Sequence, residues 1–136
     1  MSSLPAIKHK GLRHVALNVV DVANSIDFYT KIFGMQVVWK PDSNNAYLSS
    51  GCDNLALHQT ITSKNDFPDR LDHLGFIVAT AHEVDEAACA LRRQKVQILK
   101  PARTHRDGSR SLYCADPDGT VIQILYEPTL SKQQIT

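Results

Sequence analysis

The chain has 136 residues, 43% of them hydrophobic and 21% charged, with a formal net charge of +1, as expected of one ordinary globular domain. So small a surplus of positive charge speaks against a broad basic surface, and therefore against nucleic acid as a partner. No stretch approaches the roughly 20 apolar residues that span a bilayer, so no membrane partner is expected. The first residues do not read as a signal peptide, because Pro5, Lys8, His9 and Lys10 interrupt any apolar run. A cytoplasmic location follows as an expectation. Cys52, Cys89 and Cys114 are odd in number and include no CxxC pair, which fits reduced thiols better than a disulfide framework.

In chain order, Met1–Lys10 reads as a frayed tail. Leu12-Arg13-His14-Val15-Ala16-Leu17-Asn18-Val19 alternates with period two, a strand whose apolar face is Val15, Leu17 and Val19. His14 therefore points to the opposite face. A helix comes next, with Asp21 as N-cap, Val22, Ile26, Tyr29 and Phe33 as its stripe, and Gly34 as its stop. Three short strands succeed it, near Met35–Lys40, Ala46–Ser50 and Leu55–Thr60, separated by turns at Pro41–Asn45 and Gly51–Asn54. Ser63–Arg70, polar and containing Pro68, reads as a linker.

The pattern then repeats. Leu71-Asp72-His73-Leu74-Gly75-Phe76-Ile77-Val78 shares the Leu-x-His and the phase of the first strand, so His73 stands where His14 does. A small residue, Ala16 or Gly75, lies two positions after each histidine and leaves room beside the imidazole. Thr80 and Glu83 match a capping box, and Val84, Ala87, Ala88 and Leu91 supply the second stripe. Strands are expected near Val96–Leu99, Arg110–Ala115 and Thr120–Tyr126, with turns at Asp107-Gly108 and Asp116-Pro117-Asp118-Gly119. Pro128–Thr136 reads as a second frayed end. The expected fold is α+β, a single domain over residues 1–136 built of two βαβββ modules, about 11–62 and 70–127. Pairing the modules edge to edge would protect exposed strand edges and curl the sheets into a cup with helices outside.

These residues resemble a known family. His14–Val19 followed by Asp21–Tyr29 and Phe33-Gly34-Met35, then Asp72–Phe76, then Asp116-Pro117-Asp118-Gly119-Thr120-Val121-Ile122-Gln123-Ile124, are similar to the vicinal oxygen chelate superfamily of glyoxalases, bleomycin-resistance proteins and extradiol dioxygenases. The resemblance spans about residues 11–127. It implies paired βαβββ modules, a homodimer, and a divalent metal (zinc, iron, nickel or manganese) held in the cup against a small-molecule substrate. It also implies metal ligands at His14, His73 and a carboxylate on the last strand. That carboxylate position holds Gln123, and a fourth ligand position falls on Ala56.

Two imidazoles and an amide oxygen can hold a first-row ion, but they leave its charge uncompensated. Gln123 cannot serve as a general base at any pH. His58, two residues beyond Ala56 on the same face, and the phenols Tyr47 and Tyr113 are the remaining candidates. Tyr113 and Arg110 are expected to approach substrate, and His105 and Arg106 lie in a loop able to cover it. Asp116 and Asp118 read as turn formers. The expectation is a glyoxalase- or dioxygenase-like metalloenzyme, a lyase, isomerase or oxygenase, acting on a small oxygen-rich substrate. The alternative is a non-catalytic ligand-sequestering protein of the bleomycin-resistance type.

Overall fold

A computed structural model describes residues 12–60, 71 and 73–133. The N-terminal tail and the linker expected at Ser63–Arg70 lie outside those residues. The elements run β1 (His14–Val19), α1 (Val22–Phe33), β2 (Gln36–Asp42), β3 (Asn45–Ser49) and β4 (Asn54–Gln59). The second module repeats them as β5 (Leu74–Ile77), α2 (Ala81–Arg93), β6 (Ile98–Thr104), β7 (Arg110–Ala115) and β8 (Val121–Tyr126). The expected βαβββ repeat is present in both halves.

Local sequence accounts for the helix ends. The Asp21 carboxylate accepts from the Asn24 amide at 3.1 Å, and Gly34 takes the left-handed conformation (φ 66°) that closes α1. At α2 the Thr80 hydroxyl accepts from the Glu83 amide at 3.3 Å and donates to the Glu83 carboxylate at 3.1 Å. The stripes bury as spaced: Val22 and Tyr29 on α1, and Val84, Ala88 and Leu91 on α2.

Each module forms its own four-stranded sheet, in the order β1-β4-β3-β2 and β5-β8-β7-β6. β1 runs parallel to β4 and β5 parallel to β8, while the other neighbours are antiparallel. Among the described residues the edge-to-edge pairing expected between modules is not made. Among the described residues, β1 and β5 each keep one side without a hydrogen-bonded strand.

The modules instead share one hydrophobic core, which includes Leu17, Leu48, Leu57, Tyr29, Val84, Leu91, Leu112 and Ile122. Burying each of the large aliphatic side chains contributes about 1.5–3 kcal/mol. Phe33 of α1 stacks on Phe76 of β5, with ring centroids 4.1 Å apart.

The Asp116–Gly119 turn ties the modules further. The Asp116 carboxylate caps its own turn, accepting from the amides of Asp118 and Thr120 at 2.9 and 2.8 Å. Its other oxygen accepts from the buried Tyr29 hydroxyl at 2.8 Å. Asp118 accepts from the Val20 amide at 3.2 Å and the Ser25 hydroxyl at 3.4 Å. Both aspartates form the turn as expected, and they also fasten it to the first module. The C-terminal segment expected to fray is docked at Ser131, whose hydroxyl donates to the Val78 carbonyl at 2.7 Å.

Candidate metal-binding face

The strand faces turned toward the helices carry the core, and the opposite faces carry the histidines. Registered partners on neighbouring strands share a face, so the pairing can be read as rows across each sheet. In the first module one row joins His14 to Asn54, the next joins Ala16, Ala56, Tyr47 and Trp39, and the third joins Asn18, His58, Asn45 and Asp42. In the second, one row joins Gly75, Gln123, Tyr113 and Lys100, and the next joins Ile77, Leu125, Ser111 and Arg103. His73 directly precedes β5, with its ring edge-on to Tyr113 at 5.5 Å. His14 stands likewise to Tyr47 at 6.2 Å. Each module thus presents one histidine beside one tyrosine on the helix-averted face.

Three sequence-identified residues, His73, Gln123 and Tyr113, come together on the second sheet. The Gln123 side-chain oxygen lies 3.9 Å from where a Cβ on Gly75 would stand, so this amide lies over the small residue two positions after His73. His14 and His58 share the face of the first sheet, two rows apart.

Arg110 is elsewhere. It lies three residues from Tyr113, an odd step along a strand, and so faces the other way. Its guanidinium grips Asp85 of α2 with two bonds, at 2.6 and 3.1 Å. That contact holds the Asp85 carboxyl below its usual range and raises the arginine further. The substrate contact expected of Arg110 therefore has no geometric basis on this face. His105, in the β6–β7 turn, makes a 3.1 Å contact to the Ser111 hydroxyl, and Arg106 is exposed beside it.

Sequence reading missed Trp39, Lys100 and Arg103. Strict alternation sets Trp39 in phase with Val37 and Lys100 with Ile98, which belong to the helix side. β-Bulges lie between Val37 and Trp39 and again between Ile98 and Lys100. Each extra residue reverses the parity of the strand beyond it. Trp39 then packs on Tyr47 at 4.8 Å, and the Lys100 ammonium lies 5.5 Å from the centre of the Tyr113 ring. A further bulge after Lys100 keeps Arg103 on the same face. The device occurs at matching places in both modules, and no single-strand pattern signals it.

Hydrogen bonds orient the rings. His14 Nδ1 lies 2.8 Å from the Asn54 side-chain oxygen. With the Asn54 oxygen accepting, the neutral ring carries its proton on Nδ1 and offers the Nε2 lone pair, the form in which imidazole binds a metal. Two imidazoles and an amide oxygen are donor types that suit a first-row divalent ion, but His14 lies on the first sheet and His73 with Gln123 on the second. Among the described residues no three His, Cys, Asp or Glu side chains gather into one metal-binding group. Two grooves border α1 on the helix side, lined among others by Lys31, Ile32 and Gln94, and neither includes a histidine.

The sequence profile of the Glyoxalase/Bleomycin resistance protein/Dioxygenase superfamily matches residues 11–124. The chain belongs to this superfamily. It is 30% identical over 111 residues to the metallothiol transferase FosB of Lysinibacillus sphaericus, covering 81% of this chain and 77% of that one. To FosB of Staphylococcus epidermidis it is 24% identical over 116 residues, covering 85% and 82%. In fold it is similar to a lactoylglutathione lyase from Agrobacterium tumefaciens, with a TM-score of 0.72 at 20% identity over 87% of this chain and 94% of that one. An integron cassette protein from the mobile metagenome of a Halifax Harbour sewage outfall has a TM-score of 0.70 at 27% identity, covering 87% and 99%.

Proposed function

We propose that this superfamily member is a metal-dependent enzyme acting on a small oxygen-rich substrate, with thiol transfer as its reaction class. His14, His73 and Gln123 would hold a divalent ion. The observation that carries this reading is the matched pair of histidines on helix-averted faces, with the His14 ring held through Nδ1 by Asn54. Such an ion would supply Lewis-acid polarisation of a substrate oxygen. The relatives named as metallothiol transferases favour thiol transfer, and so does the chemistry of this chain. Attack by a thiol on an electrophilic carbon requires no carboxylate to remove a carbon-bound proton. An enediol-type isomerisation does require such a base, and Ala56 and Gln123 offer none.

The two halves of the set lie on separate sheets with open edges at β1 and β5, and this supports a homodimer in which the first module of one protomer faces the second module of the other. The absence of a helix long and apolar enough to cross a membrane among the described residues is compatible with the proposed cytoplasmic location.

Elemental analysis of the purified protein beside its His14→Ala/His73→Ala variant tests the reading. Near-stoichiometric metal that disappears in the variant is expected. Absence of metal in the parent protein, even after loading with zinc, iron, nickel or manganese, would sink it. The missing carboxylates favour a second reading, ligand sequestration without chemistry, in which ligand binding would survive loss of both histidines.

A further inference from the structure

The row Asn18–His58–Asn45–Asp42 crosses the whole first sheet, and nothing in the metal-binding reading uses it. Its polar groups are chained. His58 Nδ1 lies 2.7 Å from the Asn45 side-chain oxygen. The same amide donates through its nitrogen to both Asp42 carboxylate oxygens, at 2.9 and 3.2 Å. The Asn44 backbone amide donates to Asp42 as well, at 2.8 Å. These donors keep the Asp42 carboxyl below its usual range, so it stays ionised and accepts.

The direction of the chain is therefore set. Asp42 accepts only, which turns the Asn45 nitrogen toward it and the Asn45 oxygen toward His58. That oxygen in turn requires the proton on Nδ1. Nε2 is left as a lone pair on the metal-binding face. The neighbours of His58 along its row, Asn18 and Asn45, are uncharged.

We propose that His58 is the proton acceptor of this site and that Asn45 and Asp42 are positioning residues that fix its tautomer. The inference rests on the metal-enzyme reading for its substrate, but not for its geometry. Rows two residues apart along a strand are separated by about 7 Å. His58 lies two rows from His14, about 14 Å along the strand, so the reactants must extend along this face to reach both. In the step, Nε2 takes a proton from an S–H or O–H of the bound reactants. The bonding pair stays on sulfur or oxygen, and the new imidazolium is stabilised through Asn45 by Asp42. The second module has Leu125 at the matching place, so this function belongs to the first module alone. A base at His58 also accounts for a site that lacks carboxylates at Ala56 and Gln123.

The test is the tautomer, read by long-range proton–nitrogen correlation spectra of the full nitrogen-15-labelled chain, with His58→Gln assigning the signals. Above the titration of the ring, the protein as it stands should show His58 protonated at Nδ1 and bare at Nε2. Asn45→Leu and the exposed Asp42→Ala should each shift it toward the Nε2-protonated form and slow its acylation by diethyl pyrocarbonate several-fold. Unchanged His14 signals in both variants would show that the fold is intact. An Nε2-protonated His58 in the parent protein, or spectra and acylation rates that neither variant moves, overturns the proposal. Metal content measured on the same samples separates the two readings. Loss of metal binding with the tautomer as stated removes the proposed function and leaves the relay standing, whereas full metal with the opposite tautomer does the reverse.

Discussion

Tyr29→Phe removes one oxygen atom from the seam between the modules and leaves the ring in place. The hydroxyl is fully buried and donates to Asp116, whose side chain is only 5% exposed. Burial, reinforced by the neighbouring carboxylate, pushes the Tyr29 phenol far above its usual range, so it remains a donor. Burial also raises Asp116, and the Tyr29 hydrogen bond is the largest influence opposing that rise. A hydrogen bond to a charged group contributes about 1.5–3 kcal/mol, so Tyr29→Phe should lose that much where Asp116 is ionised. For a domain of this size the loss lowers the melting temperature by roughly 5–10 °C.

The pH dependence gives a second check. A carboxyl whose folded pKa lies above its unfolded value of about 3.9 makes the folded state bind more protons. Its contribution to stability therefore falls as pH rises through that window. The variant lifts Asp116 further, so its deficit against the parent protein should grow from pH 3.5 to pH 7. Below that window Asp116 is protonated, and the lost bond is a neutral one contributing about 0.5–1.5 kcal/mol. Urea unfolding at both pH values and one fixed protomer concentration measures this. A variant within about 0.5 kcal/mol of the parent at pH 7, the range of an ordinary surface change, would refute the argument that this bond fastens the modules.

Other perturbations address the metal-binding face. Asn54→Ala frees the His14 ring and should weaken metal affinity by about 10–100-fold, measured by competition with a chromogenic chelator. Gln123→Glu supplies a carboxylate in place of an amide oxygen and should tighten metal binding in the same assay; weaker binding would remove Gln123 from the shell. Arg110→Gln breaks the contact with Asp85 on the helix side and should leave metal content unchanged by elemental analysis. A loss of metal there would mean that Arg110 reaches the histidine face.

Much of this protein is decided locally, and the sequence alone determines it. Period-two alternation placed His14 and His73 opposite the core because successive strand residues must point to opposite faces. Asp21, Gly34 and Thr80 marked helix ends because caps act within a few residues. The internal repeat and the turn at Asp116–Gly119 identified the modules. Tertiary structure decided whatever depends on strand register. Bulges in β2 and β6 carried Trp39 and Lys100 onto the histidine face against their own alternation. Parallel pairing of β1 with β4 brought Asn54 to His14, forty residues away, and the β3–β4 hairpin register brought Asn45 to His58. Whether the module edges pair is likewise absent from any single strand, because an edge is completed by backbone hydrogen bonds that every sequence offers alike. Side-chain periodicity reports which way a residue points, and only the register of neighbouring strands reports what it meets.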